Sequence, residues 1–195
     1  MSGSIPHANI TAGGPMTRGD LLMLLYWFSD TLAVPETRGV RGLSRLTRLA
    51  LILGHETGLD REIDPWFTFH RTPAGGIASS ELWAELLALR EYQVVIPVPA
   101  LEAMPPEEVA ERTWMLETLI PPHERGDYPM PRELERDLLT NKGTFFAAKR
   151  EDQLIARRIA TFKGVVELEG LSLGELNEKA LPFLRSAAPA AAAAR

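Results

Sequence analysis

Cysteine is absent from this chain of 195 residues. Its absence excludes a disulfide scaffold, a Cys-ligated zinc site, an iron–sulfur cluster and a thiol nucleophile. Long apolar runs are missing as well, because no stretch reaches the roughly 18 residues that a membrane-spanning helix needs. Residues 1–16 show neither the basic start nor the apolar middle of a secretory signal. We therefore expect a cytoplasmic protein with no membrane partner.

Motifs that hold phosphate-bearing cofactors are also missing. The sequence contains neither a Walker A loop nor a G-x-G-x-x-G turn, so we expect no cofactor. Residues 170–174 do match the G-x-S-x-G pattern of a serine nucleophile, centred on Ser172. That chemistry requires a histidine base later in the chain, whereas the last histidine is His123. We expect Ser172 to cap a helix instead, with Glu175 completing the capping box.

Two partial metal motifs are incomplete. His55 and Glu56 begin an H-E-x-x-H zinc motif, but Leu59 occupies the second histidine position. Residues 60–64 alternate acidic side chains as an EF-hand loop does, but that loop needs Gly at its sixth position and Glu at its twelfth, where this chain has Pro65 and Arg71. We therefore expect no metal site, no catalytic residue and no enzymatic activity.

Charge is unevenly distributed along the chain. The formal net charge is −5, and residues 101–134 hold eight acidic and only three basic side chains. This segment also carries six prolines. We expect it to be an insertion, about residues 100–134, that contacts a partner and can be trimmed without loss of the fold.

Apolar periodicity predicts a mainly helical α+β domain over residues 17–186. A flexible arm (1–16) precedes it and a disordered Ala-rich tail (187–195) follows it. Thr17 and Asp20 are typical of a helix start, and Gly58 of a helix stop. Short strands are expected at residues 66–71 and 92–98, with a turn at 73–76, and the prolines of the second strand place it at a sheet edge. A strand end and turn at 138–143 would put Lys142 at the tip of a wing.

Four short motifs in this order resemble the YwgA-like proteins and the related Panacea antitoxin domain. Residues 41–49 resemble the opening of that family's second helix, and 67–78 resemble its aromatic strand and turn. Residues 139–143 resemble its Leu-Thr-x-x-Gly wing end, and 168–176 the start of its last helix. The turn 73–76 and the insertion depart from the family pattern. The resemblance implies a winged helix-turn-helix core, with the insertion in the wing and a helical C-terminal part, used in regulatory, antitoxin or adaptor roles.

Clustered basic residues are the candidate functional site. Phosphate backbones are bound by Lys and Arg side chains, mostly without reading of the base sequence. Our leading hypothesis is a DNA-binding regulatory protein that contacts phosphates through a basic helix and the wing. The candidate contacts are Arg38, Arg41, Arg45, Arg48, Lys142, Lys149, Arg150, Arg157 and Arg158.

The predicted third helix, residues 79–91, argues against reading of the major groove. A helix-turn-helix protein inserts this helix into the groove, but Glu81, Glu85 and Glu91 would be repelled by phosphates. The alternative hypothesis is a protein–protein adaptor or antitoxin-like module that uses the acidic insertion and this helix. The aromatic side chains of the first helix are most simply explained as core. Its apolar surface is nevertheless too wide for the edge of a monomer, which predicts a homodimer.

Overall fold

The structure, a computed structural model, describes residues 14–32 and 39–184. This part of the chain is α+β and mainly helical, as predicted. Its helices are α1 (Arg18–Leu32), α2 (Leu43–Thr57), α3 (Ser80–Glu91), α4 (Pro106–Thr118), α5 (Asn141–Glu151), α6 (Ala156–Lys163), α7 (Val165–Glu169) and α8 (Leu173–Ala180). Its strands are β1 (Val40–Arg41), β2 (His70–Arg71), β3 (Ile77–Ala78), β4 (Val95–Ala103) and β5 (Glu133–Leu139). The predicted arm is described only from Gly14, and the predicted tail lies outside the described residues.

Helix α1 forms the centre of the domain. It begins where predicted, because the Thr17 amide donates to Asp20 at 2.9 Å and the Asp20 amide donates to the Thr17 hydroxyl at 3.2 Å. Residues 21–26 are fully buried, since α1 packs against α2, α3, α5, α6, α7 and β5 of the same chain. The wide apolar surface that predicted a dimer seam is therefore covered within the monomer.

Strands β1, β5 and β4 form an antiparallel sheet in that order, so β4 is an edge strand as predicted. The Thr140 amide donates to the Val94 carbonyl at 3.0 Å. Because backbone groups alternate in direction along an antiparallel strand, Pro97 and Pro99 occupy positions that face the open edge. Proline offers no N–H group there, and the edge is thereby protected against pairing with another strand.

Strands β2 and β3 form a separate hairpin around the predicted turn. Of the expected strand 66–71, only β2 pairs as a strand, with His70 opposite Ala78 and Arg71 opposite Ile77. The Gly75 amide donates to the Thr72 carbonyl at 2.9 Å, and Gly75 has a positive φ of 85°. This turn places Gly76 directly beside α4.

The segment 100–134 is part of the packed domain. Met115 and Ile120 are buried in the hydrophobic core, and Glu108, Glu111 and Arg112 on α4 are buried as well. Helix α4 packs against α2 and β3. The expectation of a removable loop is therefore wrong, because the segment supplies core side chains and buried charges.

The segment predicted as a strand end and turn, residues 138–143, contains the end of β5 and the first turn of α5. Thr140 caps α5, its hydroxyl accepting from the Gly143 amide at 3.1 Å, so the helix begins at Asn141. Lys142 consequently lies in the first turn of α5 and not at a wing tip. Ser172 and Glu175 form the predicted capping box at the start of α8.

None of the helices in the described part of the chain combines the length and apolar character that crossing a bilayer requires.

Candidate functional site

Arg48, a predicted phosphate contact, is buried between α2 and α4 with 2% of its side chain exposed. Its guanidinium donates to both carboxylate oxygens of Glu111, at 2.5 and 3.1 Å, and to the Ser44 carbonyl at 2.8 Å. Glu111 also accepts from the Ser44 hydroxyl at 2.5 Å. A bidentate pair of this kind neutralises the cation, and Arg48 cannot contact a phosphate from this position.

The start of α2 is capped by a side chain from α4. Glu108 accepts from the backbone amides of Leu43 and Ser44 at 2.7 and 3.1 Å. These amides have no partner within their own helix, and the positive end of the helix dipole favours a carboxylate there. Arg112, four residues after Glu108, donates to the same carboxylate at 2.7 Å. We call Arg48, Glu108, Glu111 and Arg112 the α2–α4 ion network.

Arg150 is the second predicted contact that is buried. Its guanidinium donates to Asp20 at 2.8 Å, to the Gly14 carbonyl at 2.9 Å and to the Gln153 side chain at 2.8 Å. Asp20 is itself fully buried and caps α1 together with Thr17. Arg150 therefore fixes α5 against the start of α1 and does not reach the surface.

Four further candidates reach the surface but are bonded to their own chain. Arg41 pairs with Glu102 at 3.5 Å, and Lys142 donates to the Tyr92 carbonyl at 2.9 Å. Arg158 forms a bidentate pair with Glu62, and this contact lowers the pKa of Glu62. The fourth, Arg45, is half-buried against α7.

Arg45 lies beside Glu169, a carboxyl group whose pKa is raised. Its guanidinium donates to the Glu169 carbonyl at 3.1 Å, and burial lowers its pKa. Burial raises the pKa of the Glu169 side chain to about 7, against the opposing charges of Arg45, Arg41 and Arg136. Oxygen Oε1 of Glu169 is buried without a hydrogen-bond partner. This group therefore titrates near neutral pH.

The remaining candidates are placed differently. Lys149 and Arg157 are exposed, on α5 and α6. The Lys149 amine lies 4.4 Å from the centre of the Phe145 ring, and Phe145 is itself largely exposed. Arg38 lies outside the described residues. The structure therefore does not bring the predicted cations together as one basic surface.

Helix α3, expected to enter a DNA groove or to contact a partner, is covered by the rest of the domain. Only Glu91 is exposed among its residues. Glu85 faces α1, because a Cβ atom built on Gly19 would lie 2.7 Å from its carboxylate, and burial raises its pKa. Arg90 fixes the other end through a bidentate pair with Asp137 on β5, at 2.7 and 2.9 Å. Helix α3 therefore exposes little surface for either predicted role.

A small cavity of about 160 Å³ lies beside the α2–α4 ion network. Arg48, Glu111, Gly75, Gly174 and Asn177 contribute to its wall. On two of these residues, Nε of Arg48 and Oδ1 of Asn177 are buried without a hydrogen-bond partner. Buried water often satisfies such groups, and this cavity has the size for it.

A larger cavity of about 260 Å³, the aromatic pocket, lies between α2, residues 60–69 and residues 183–184. Trp66, Phe67 and Phe69 form its wall, and His55 and Asp60 lie at its edge. Nδ1 of His55 and Oδ2 of Asp60 are 3.1 Å apart. Sequence reasoning missed this pair because it tested His55 only against a zinc motif, although the two residues are five positions apart across the Gly58 helix stop.

Two residues of the incomplete catalytic and metal patterns have structural roles. Ser172 accepts from the Glu175 amide as a helix cap, and Glu62 pairs with Arg158. Within residues 14–32 and 39–184, no group of three or more His, Asp or Glu side chains is arranged to hold a metal ion.

Comparison of the chain with protein-family models, with curated proteins and with solved structures gave no match. The resemblance to the YwgA-like and Panacea proteins therefore stays a prediction.

Proposed function

We propose that this chain is a non-enzymatic regulatory module with a winged-helix core, and that it acts as an adaptor by binding another protein. The order of elements supports such a core. Helices α1, α2 and α3 precede the antiparallel pair β4 and β5, and β1 joins that pair between the first two helices. The strand between α1 and α2 thus connects the helical part to the predicted wing.

One observation carries the choice of protein over DNA as the partner: six of the nine cations predicted to bind phosphates are bonded within the chain. Binding of a phosphate backbone depends on Lys and Arg side chains that are free to displace counterions. Arg48 and Arg150 are buried in ion pairs. Helix α3, which would carry base contacts, exposes only Glu91.

The surface that supports an adaptor role is the outer face of the segment 100–134. Its exposed acidic side chains include Glu107, Glu117, Glu124 and Asp127, and Val109 on α4 is 40% exposed. The buried face of α4 holds this surface in place through the α2–α4 ion network. A rigid surface with exposed carboxylates and an exposed apolar side chain fits a partner protein with basic and apolar groups on its own surface.

Site-specific photo-crosslinking of the full chain in cells tests this proposal. A photo-reactive phenylalanine at position 109 should form a covalent adduct with a distinct protein. The triple variant Glu107→Gln, Glu117→Gln, Glu124→Gln should lose that adduct, because it removes three exposed acidic groups of this segment. Ile96, which is 45% exposed on β4, provides the matched control position. Absence of any adduct at position 109, or the same adducts at position 96, would contradict the proposal.

DNA binding is a second candidate, restricted to the exposed cations of α5 and α6. Lys149, Arg157 and Lys163 are exposed there, and no ion pair is formed by any of them within the described residues. Each phosphate contact contributes about 0.9 to the slope of log K against log salt concentration. Substitution of each by Ala should therefore lower the slope stepwise if this surface binds DNA, and Lys179→Ala on α8 is the control.

A further inference from the structure

The aromatic pocket has a preformed wall. Phe67 and Phe69 are buried, and the Trp66 and Phe67 rings meet edge to face with centroids 5.3 Å apart. The Trp66 ring lies against Gly54 of α2, where a Cβ atom would come within 2.4 Å of it. Arg18 donates to the carbonyls of Pro65 and Trp66 at 2.8 and 2.5 Å and so fixes the backbone of this wall. The pocket therefore does not need to be assembled by a ligand.

One polar group is oriented at the edge of this apolar wall. Asp60, whose side chain is 6% exposed, accepts from Nδ1 of His55, whose side chain is 36% exposed. In a neutral imidazole whose Nδ1 carries the proton, Nε2 is a hydrogen-bond acceptor. The described residues give the His55 side chain no other hydrogen bond, and its ring packs on Phe183 at 4.5 Å between centroids. His55 therefore offers the pocket a hydrogen-bond acceptor beside its aromatic rings.

We propose that the aromatic pocket binds a small aromatic molecule with a single hydroxyl or ring N–H donor, such as a phenol or an indole. Its ring would pack on Trp66 and Phe69, and its donor would bond Nε2 of His55. The size supports this class, since a cavity of about 150 Å³ holds benzene and this one has about 260 Å³. The Asp60 carboxylate disfavours aromatic acids, because it would repel their charge. This site is independent of the proposed protein contact on α4.

Paired titrations of the full chain by calorimetry test the proposal. Indole and indene have nearly the same shape, but only indole has an N–H donor. A neutral hydrogen bond contributes roughly 0.5–1.5 kcal/mol, so indole should bind about 3- to 10-fold more tightly than indene. His55→Phe should keep indene binding and bring the ratio close to one. His123→Phe, at an exposed histidine on another segment, should leave the ratio unchanged.

Two further measurements keep the test decisive. Thermal melts establish that both variants fold, and the NMR signal of the Trp66 side-chain N–H should shift on titration of the unmodified protein with indole. Equal affinities for indole and indene in the unmodified protein would overturn the proposal. So would tighter binding of benzoate than of phenol, or the absence of any binding and any Trp66 shift at millimolar indole.

Discussion

Replacement of Glu111 by Ala tests whether the α2–α4 ion network stabilises the domain. The variant would leave the Arg48 guanidinium, 2% exposed, without its bidentate partner, and it would also remove the acceptor of the Ser44 hydroxyl. Removal of one partner of a buried ion pair typically costs about 3–5 kcal/mol, because an uncompensated charge stays buried. For a domain of this size, each kcal/mol lowers Tm by about 2–4 °C. We therefore expect a Tm lower by about 6–20 °C.

The neighbouring Glu107→Ala provides the control, because Glu107 lies on the same helix and is exposed. Its expected cost is within about 0.5 kcal/mol. The double variant Arg48→Met, Glu111→Met should be much more stable than Glu111→Ala alone, since it removes both charges and fills the space. Thermal melts and urea denaturation measure all three variants. A Glu111→Ala protein as stable as Glu107→Ala would refute the reasoning.

Three further predictions concern stability. Gly76→Ala should destabilise the folded protein by about 1–3 kcal/mol, because its Cβ would lie 1.8 Å from the Glu111 carboxylate. Gly126→Ala is the control and should cost little, because its Cβ would meet no atom within 4 Å. Urea denaturation compares the free energies of unfolding of the two variants. Glu169 has a pKa of about 7 in the folded protein and about 4.5 in the unfolded chain. The folded state therefore binds the proton more tightly than the unfolded state does. The protein should lose up to about 3 kcal/mol of stability as the pH rises from 4.5 to 7. Glu169→Gln should therefore be more stable than the unmodified protein at pH 8 and similar at pH 4.5 in thermal melts; the same difference at both pH values would contradict this. Ser172→Ala should cost about 1 kcal/mol through loss of the cap, and no change in Tm would contradict that role.

Local signals in the sequence predicted the helix ends well. Thr17 with Asp20, Ser172 with Glu175 and the Gly58 stop all lie where predicted. Each of these signals depends on residues within four positions of one another, so that the chemistry of the turn alone determines the outcome. The prolines of β4 likewise indicated an edge strand without knowledge of its partner.

Local sequence did not predict which charged side chains would be buried in ion pairs. Arg41, Arg45 and Arg48 have the spacing of a basic helix face, but Arg48 is neutralised by Glu111, which is 63 positions away in the chain. Glu108 reaches the start of α2 across a similar separation. The acidic excess of residues 101–134, interpreted as an exposed partner surface, supplies these buried carboxylates as well. Only the packing of α4 on α2 distinguishes the two uses.

Arg41 and Arg45, two of the predicted phosphate contacts, are bonded to groups of their own chain. Titration of the full chain with duplex DNA tests most directly whether they still contact phosphates. The titration covers salt concentrations from about 50 mM upward, where the electrostatic contribution is strong. Arg41→Ala and Arg45→Ala variants are measured alongside, because these are the surface-reaching cations of β1 and α2. The account predicts that neither substitution changes the affinity or its salt dependence. A salt slope that falls by about 0.9 in either variant would show that these arginines contact phosphates, and it would contradict the account.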